Sequence, residues 1–182
     1  MTPKMQTKIS FLIACFLLVS LGARAQHYRI GLGAELDFPS GNSVNMSSFG
    51  FGTGLKGEVG LSDKLSLTAN AGFLHFLGKK FYGPRMQGTN NVPVKLGLMY
   101  YADDNFYAEA QAGTHFSSQS NAKNGFAWSL GIGSFLKSSQ RNKIDIGLRY
   151  EEWRSSALLI PQGTTWSSFN FFSLRAAYAF TL

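Results

Sequence analysis

Apolar and polar residues alternate with a period of two through almost the whole chain after residue 28. In the first such stretch Ile30, Leu32, Ala34, Leu36 and Phe38 share one face, with Arg29, Gly31, Gly33, Glu35 and Asp37 on the other. Successive side chains of a β-strand point to opposite faces, so this period predicts a strand, and one whose two faces meet different surroundings. Seven further stretches behave alike, with apolar faces running through Phe49–Leu61, Leu65–Phe73, Val92–Tyr100, Phe106–Phe116, Phe126–Leu136, Ile144–Tyr150 and Phe172–Phe180. No helical period of useful length appears beyond residue 25.

A leader precedes this pattern. Lys4 and Lys8 stand before an apolar run, Ile9 to Leu21, and Ala23-Arg24-Ala25 is a small-x-small cleavage site. The features predict a signal peptide over 1–25 that is removed, with a barrel domain over 26–182. A rival reading makes Leu12-Ile13-Ala14-Cys15 a lipoprotein box, but cleavage there would leave a greasy new terminus. Removal at Ala25 takes away the only cysteine and three of the 17 basic residues, leaving 14 against 10 acidic residues and a net charge of +4. The exported chain must therefore hold together without disulfides, and its charge does not point to nucleic acid.

Connections alternate in length. Short ones centre on Asp63, Asp103 and Ser139, while long ones rich in Ser, Asn, Gly, Gln and Thr cover 39–48, 78–91, 117–125 and 154–168. Short turns at one end and long loops at the other are the habit of an outer-membrane barrel, and eight strands bring both termini to the short-turn, periplasmic end. The expected fold is all-β, an eight-stranded antiparallel up-and-down transmembrane barrel with a filled polar lumen.

The charges decide which face points inward. Arg29, Glu35, Asp37, Lys56, Glu58, Lys95, Glu109, Asp145, Arg149, Glu151 and Arg175 all fall on the non-apolar parity, five cations against six anions. An eight-stranded barrel is only wide enough for side chains to fill, and charges confined there must pair. The other parity carries no charge in any of the eight stretches. It suits lipid, whereas a soluble lipocalin-like ligand-binding barrel, the alternative, needs the apolar face inside. Rings such as Phe38, Tyr100, Phe106, Phe126 and Phe180 gather toward strand ends, where interfacial girdles lie.

Three segments carry a family resemblance: Gly57-Glu58-Val59-Gly60-Leu61-Ser62-Asp63-Lys64-Leu65-Ser66-Leu67, Val92-Pro93-Val94-Lys95-Leu96-Gly97-Leu98-Met99-Tyr100-Tyr101, and Asn105-Phe106-Tyr107-Ala108-Glu109-Ala110-Gln111-Ala112-Gly113. The chain resembles the small outer-membrane β-barrel proteins of Gram-negative bacteria, OmpA/OmpX-like in size and related to PorT-like barrel domains. The resemblance implies an integral outer-membrane protein whose last strand is read by the barrel-assembly machinery. Tyr178 and Phe180 match that signal, while the terminal Thr181-Leu182 departs from an aromatic last residue.

Candidate chemistry is sparse. His27 stands at the start of the mature chain, too early for a formed site, and His75 falls at the outer end of the third strand. His115 shares a face with Ser117, and His115-Phe116-Ser117 is similar to the histidine-serine motif of outer-membrane lipid A deacylases. A serine nucleophile needs a base and a carboxylate that orients it, and the sixth strand has no acid. The histidines are too far apart in sequence for a metal motif, and no cofactor is expected. Glycine-rich stretches such as Gly50-Phe51-Gly52-Thr53-Gly54 lack the strand-turn-helix setting of a phosphate loop. Lys79, Lys80, Arg85, Lys123 and Arg154 give the long loops a basic rim suited to lipopolysaccharide phosphates. The expectation is a non-enzymatic barrel acting in envelope structure or surface interaction, with any protein partner meeting its loops; a lipid A deacylase-like hydrolase is the alternative.

Overall fold

The computed structural model describes residues 27–80, 88–118, 124–137, 142–160 and 163–182. Eight strands follow in order: β1 Tyr28–Ser40, β2 Ser47–Gly60, β3 Leu65–Gly78, β4 Thr89–Tyr101, β5 Phe106–Ser117, β6 Gly125–Lys137, β7 Asn142–Ile160 and β8 Gly163–Thr181. Each pairs antiparallel with the next, and β1 also pairs with β8, from Arg29 opposite Thr181 to Ser40 opposite Asn170. The sheet is thus a closed barrel with no edge along its body. Among the described residues no helix is long and apolar enough to cross a membrane; the only helical element is a 3-10 turn, Gly41–Asn45, between β1 and β2.

Local chemistry closes the short turns. Between β2 and β3 the Leu65 amide donates to Ser62 Oγ at 3.1 Å, and between β4 and β5 the Ala102 amide donates to the Phe106 carbonyl at 3.0 Å. The turn expected at Ser139 lies outside the described residues. At the other end, the segment read as a long loop over 154–168 is mostly strand. The β7–β8 ladder continues from Ser155 opposite Ser167 to Ile160 opposite Gly163, although β6 stops pairing at Arg154 and β1 at Asn170. Its Ser and Thr content resembles turn chemistry, but Leu, Ile, Thr and Trp also suit strands, and continuing the ladder satisfies backbone groups that a loop would leave to water.

The two parities separate as the period requires. Leu96 is 63% exposed while its neighbour Lys95 is 1% exposed, and Leu148 and Arg149 show the same contrast at 49% and 9%. Leu32, Leu55, Phe73, Leu130, Ile132, Leu174 and many others likewise face outward. Water would not tolerate a continuous apolar belt of this extent on a monomer, and lipid would. The charged-outside arrangement of a soluble barrel is reversed here. Leu96→Arg and Leu148→Arg are each expected to weaken insertion by about 2–4 kcal/mol near the bilayer midplane. Heat-modifiable gel mobility would show it as a loss of the folded form in bilayers that is milder in detergent.

Candidate functional site

The lumen is where the chemistry-bearing residues converge. All eleven charged residues of the inward parity are buried there, none more than 9% exposed. Eight of them form one chain of alternating sign. Glu109 meets Lys56 at 3.5 Å, Lys56 meets Asp145 at 3.0 Å, Asp145 meets Arg175 at 2.7 Å, and Arg175 meets Glu35 at 3.5 Å. Glu35 then meets Arg149 at 2.7 Å, Arg149 meets Glu151 at 3.2 Å, and Glu151 meets Lys95 at 2.5 Å. Four anions and four cations from six different strands are tied across the barrel.

Neutral donors use the remaining acceptor capacity. Thr68 Oγ1 and Gln111 Nε2 donate to Glu109 at 2.6 and 2.8 Å, Tyr107 donates to Asp145 at 2.5 Å, and Trp153 Nε1 donates to Glu151 at 2.6 Å. A carboxylate out of water is tolerable only when its lone pairs are filled in this way. Nearer the short turns lies a separate cluster. Arg29 Nη1 reaches Glu58 at 2.8 Å and the Tyr101 hydroxyl at 2.7 Å, and that hydroxyl donates to Glu58 at 2.5 Å. His27, read from the sequence as too early to join a site, places Nε2 3.0 Å from Glu58 Oε1. Strand pairing brings it there: Gly60 donates its amide to the His27 carbonyl at 3.0 Å, extending the β1–β2 ladder by one residue.

Apolar side chains share the lumen with the expected polar filling. Leu74, Phe76, Ala127, Trp153 and Phe171, with Phe169 against them, form an apolar plug toward the long-loop end. Phe76 lies edge-on to Trp153 at 5.6 Å and to Phe171 at 5.1 Å. Met99, Tyr101, Tyr107, Phe135 and Ala179 form a second apolar layer toward the short turns, with the Arg29 guanidinium 4.4 Å from the Phe135 ring centroid. The ring of Tyr107 packs on the bare backbone of Gly133, where a Cβ would collide with it. The charge ladder is therefore sandwiched between two greasy layers. The signal was available, since Phe76, Phe135, Trp153 and Phe171 sit on the charged parity, but single rings there look like exceptions until the closed sheet stacks them.

His115 is inward and buried, stacked on Trp153 with ring centroids 4.8 Å apart and planes 11° from parallel. Ser117 shares its face, and the pair sits inside the barrel, not on the lipid face. His75 faces outward with Nδ1 2.5 Å from Asn90 Oδ1. At the long-loop rim Lys79 donates to the Val44 carbonyl at 3.2 Å, Lys80 is exposed, and Arg154 pairs with Glu152 at 2.5 Å. Arg85 and Lys123 lie outside the described residues. Among the described residues no group of three His, Cys, Asp or Glu is placed to hold a metal ion.

Space inside is scarce. The central gaps are about 20 Å³ beside Lys56, Glu109, Arg149 and Arg175, and about 10 Å³ between Arg29, Glu58, Lys56 and Asp145. The larger void, about 350 Å³, is a vestibule at the short-turn end lined by His27, Arg29, Asp63, Lys64, Tyr101, Asp103 and Asp104. The central gaps hold about one water molecule each.

The geometry is that of a plugged integral β-barrel of the small outer-membrane type. Comparison with solved structures shows the same fold. The chain is similar to outer membrane protein OprG from Pseudomonas aeruginosa (11% identity, TM-score 0.59, covering 88% of this chain and 98% of that one). It is also similar to Neisserial surface protein A (14%, TM-score 0.60, 84% and 96%). A third likeness is to Ail, the attachment invasion locus protein of Yersinia pestis, in complex with the heparin analogue sucrose octasulfate (11%, TM-score 0.53, 85% and 98%). No protein-family model and no curated protein matches the sequence.

Breaking the ladder at a deeply buried link is expected to be costly. Lys95→Ala leaves Glu151 short of its ammonium partner, and such a loss typically destabilises by about 3–5 kcal/mol. Lys95→Met with Glu151→Gln, which removes both charges, is expected to recover much of the loss in urea titrations of the refolded barrel.

Proposed function

We propose that this protein is a non-enzymatic outer-membrane barrel whose interior is structural and whose activity lies in surface interaction through its long-loop end. The observation that carries this reading is the filled lumen, in which the charge ladder and two apolar layers border water-sized gaps at the centre. A barrel so filled offers no solute path through its described centre, so in this reading recognition falls to the rim. In this reading residues 1–25 are a leader removed on export, both termini and the short turns are periplasmic, and the barrel-assembly machinery inserts the chain. The apolar belt supplies contact with membrane lipid.

The rim favours an anionic partner. Lys79, Lys80 and Arg154 stand at the outer end among the described residues, and their chemistry fits the phosphates of lipopolysaccharide. Ail, similar in fold, is seen with a polysulfated heparin analogue. Lys79→Glu with Lys80→Glu is expected to weaken retention on immobilised lipopolysaccharide, and the wild-type interaction is expected to fall with added salt. Equal retention of the variant would remove the rim from the account.

Two measurements test the closed, non-enzymatic core. Planar-bilayer recordings of the refolded protein are expected to show no steady large-conductance openings. Incubation with lipopolysaccharide, followed by mass spectrometry of the lipid, is expected to leave every acyl chain in place. An acyl loss that disappears in Ser117→Ala would establish the hydrolase instead.

A further inference from the structure

The lumen contains one more anion than cation, and the surplus has an address. Arg29 engages Glu58, and the other four cations alternate with Glu109, Asp145, Glu35 and Glu151. Asp37 has no ion-pair partner among the described residues, although it is 0% exposed. Neither of its carboxylate oxygens has a hydrogen-bond partner. Directly opposite it across the β1–β8 ladder stands Ser173, also fully buried, whose Oγ is likewise without a partner.

We propose that Asp37 is held as a neutral carboxylic acid whose O–H donates to Ser173 Oγ, making the lumen electroneutral with five cations and five anions. Every element packed around it argues for a proton over another counter-charge. From its own strand it faces Glu35, an anion. From β7 it faces Glu151, an anion engaged by Lys95, and Arg149, whose guanidinium is taken by Glu35 and Glu151. From β8 it faces Ser173, which is neutral. On the β2 and β3 side are Gly50 and Phe76: a Cβ on Gly50 would strike the Phe76 ring and the Asp37 Cβ. Asp37 borders none of the three gaps described above.

The chemistry of the pair completes the case. A carboxyl group and a serine hydroxyl can share a hydrogen bond with either as donor, but an ionised carboxylate in this place would have only that one donor, two anions for neighbours, and an Arg149 already engaged by Glu35 and Glu151. A buried charge without compensation is neutralised in preference to being held. A protonated carboxyl gains a donor and loses its charge. Residues directly opposite on antiparallel strands have Cβ atoms about 4.5–5.5 Å apart, close enough for the two side chains to meet. Asp37 would then be a fixed proton site capped by the aromatic plug, distinct from the ion-pair ladder below it.

The refolded barrel has five aspartates, Asp37, Asp63, Asp103, Asp104 and Asp145, so selective labelling gives a short assignment problem. With aspartate ¹³C-labelled at the side-chain carboxyl, NMR at neutral pH is expected to show four ionised carboxyls and one neutral acid. The neutral signal is expected to vanish in Asp37→Asn, to survive in Asp103→Asn, and to move in Ser173→Ala, where the acceptor is lost. Five ionised carboxyls in the wild type, or a neutral signal that survives Asp37→Asn, would overturn the proposal. The wild-type spectrum decides the protonation count even if Asp37→Asn fails to refold, and the shift in Ser173→Ala then makes the assignment; an unmoved signal there would overturn the pairing.

Discussion

Pairing of charge inside a narrow, closed sheet is the constraint on which the rest of this structure depends. A barrel wall is one residue thick, so each strand that offers Leu or Phe to lipid must offer its alternate residues to the lumen. Here those alternates include eleven ionisable side chains. Their desolvation is offset because Lys56, Arg175 and Arg149 each bridge two anions, while Tyr107, Thr68, Gln111 and Trp153 fill carboxylate positions the cations do not reach. The ladder joins β1, β2, β4, β5, β7 and β8, and Thr68 on β3 and Ser129 on β6 add hydrogen bonds to it. Interior chemistry thus ties together strands far apart in sequence.

The two apolar layers make that ladder stronger and more exacting. The aromatic plug around Phe76, Trp153 and Phe171 and the layer around Tyr101, Tyr107 and Phe135 keep water from either end of the ion pairs. A drier interior raises the worth of each satisfied pair and the cost of each broken one. The same arrangement explains why Gly133 is bare, since the Tyr107 ring needs the space a side chain would occupy while its hydroxyl reaches Asp145.

A core of this kind fixes architecture. Likeness to OprG, Neisserial surface protein A and Ail is a likeness of fold at 11–14% identity, and one barrel can present many unrelated rims. The β7–β8 ribbon, which continues beyond the rest of the sheet, and the basic residues Lys79 and Lys80 are the features that give the long-loop end its own character.

Period-two alternation by itself determined the strands, and the confinement of charge to one parity determined which face meets lipid: Leu96 and Lys95 are separable on the page because neighbouring residues in a strand must part. Loop composition was a weaker guide, because Ser and Thr serve both turns and ladders, and the ribbon beyond Arg154 was read as loop for that reason. Only the closed tertiary structure decided who pairs with whom. Glu35 is 114 residues from Arg149, and Lys95 is 56 from Glu151. Parity carries no information about height or azimuth in the barrel, so the sequence shows six anions and five cations without showing that Asp37 is the one left over. His27 joins Glu58, and four scattered inward residues become an aromatic plug, because closure and stagger bring them to one level, a geometric condition that no local stretch encodes.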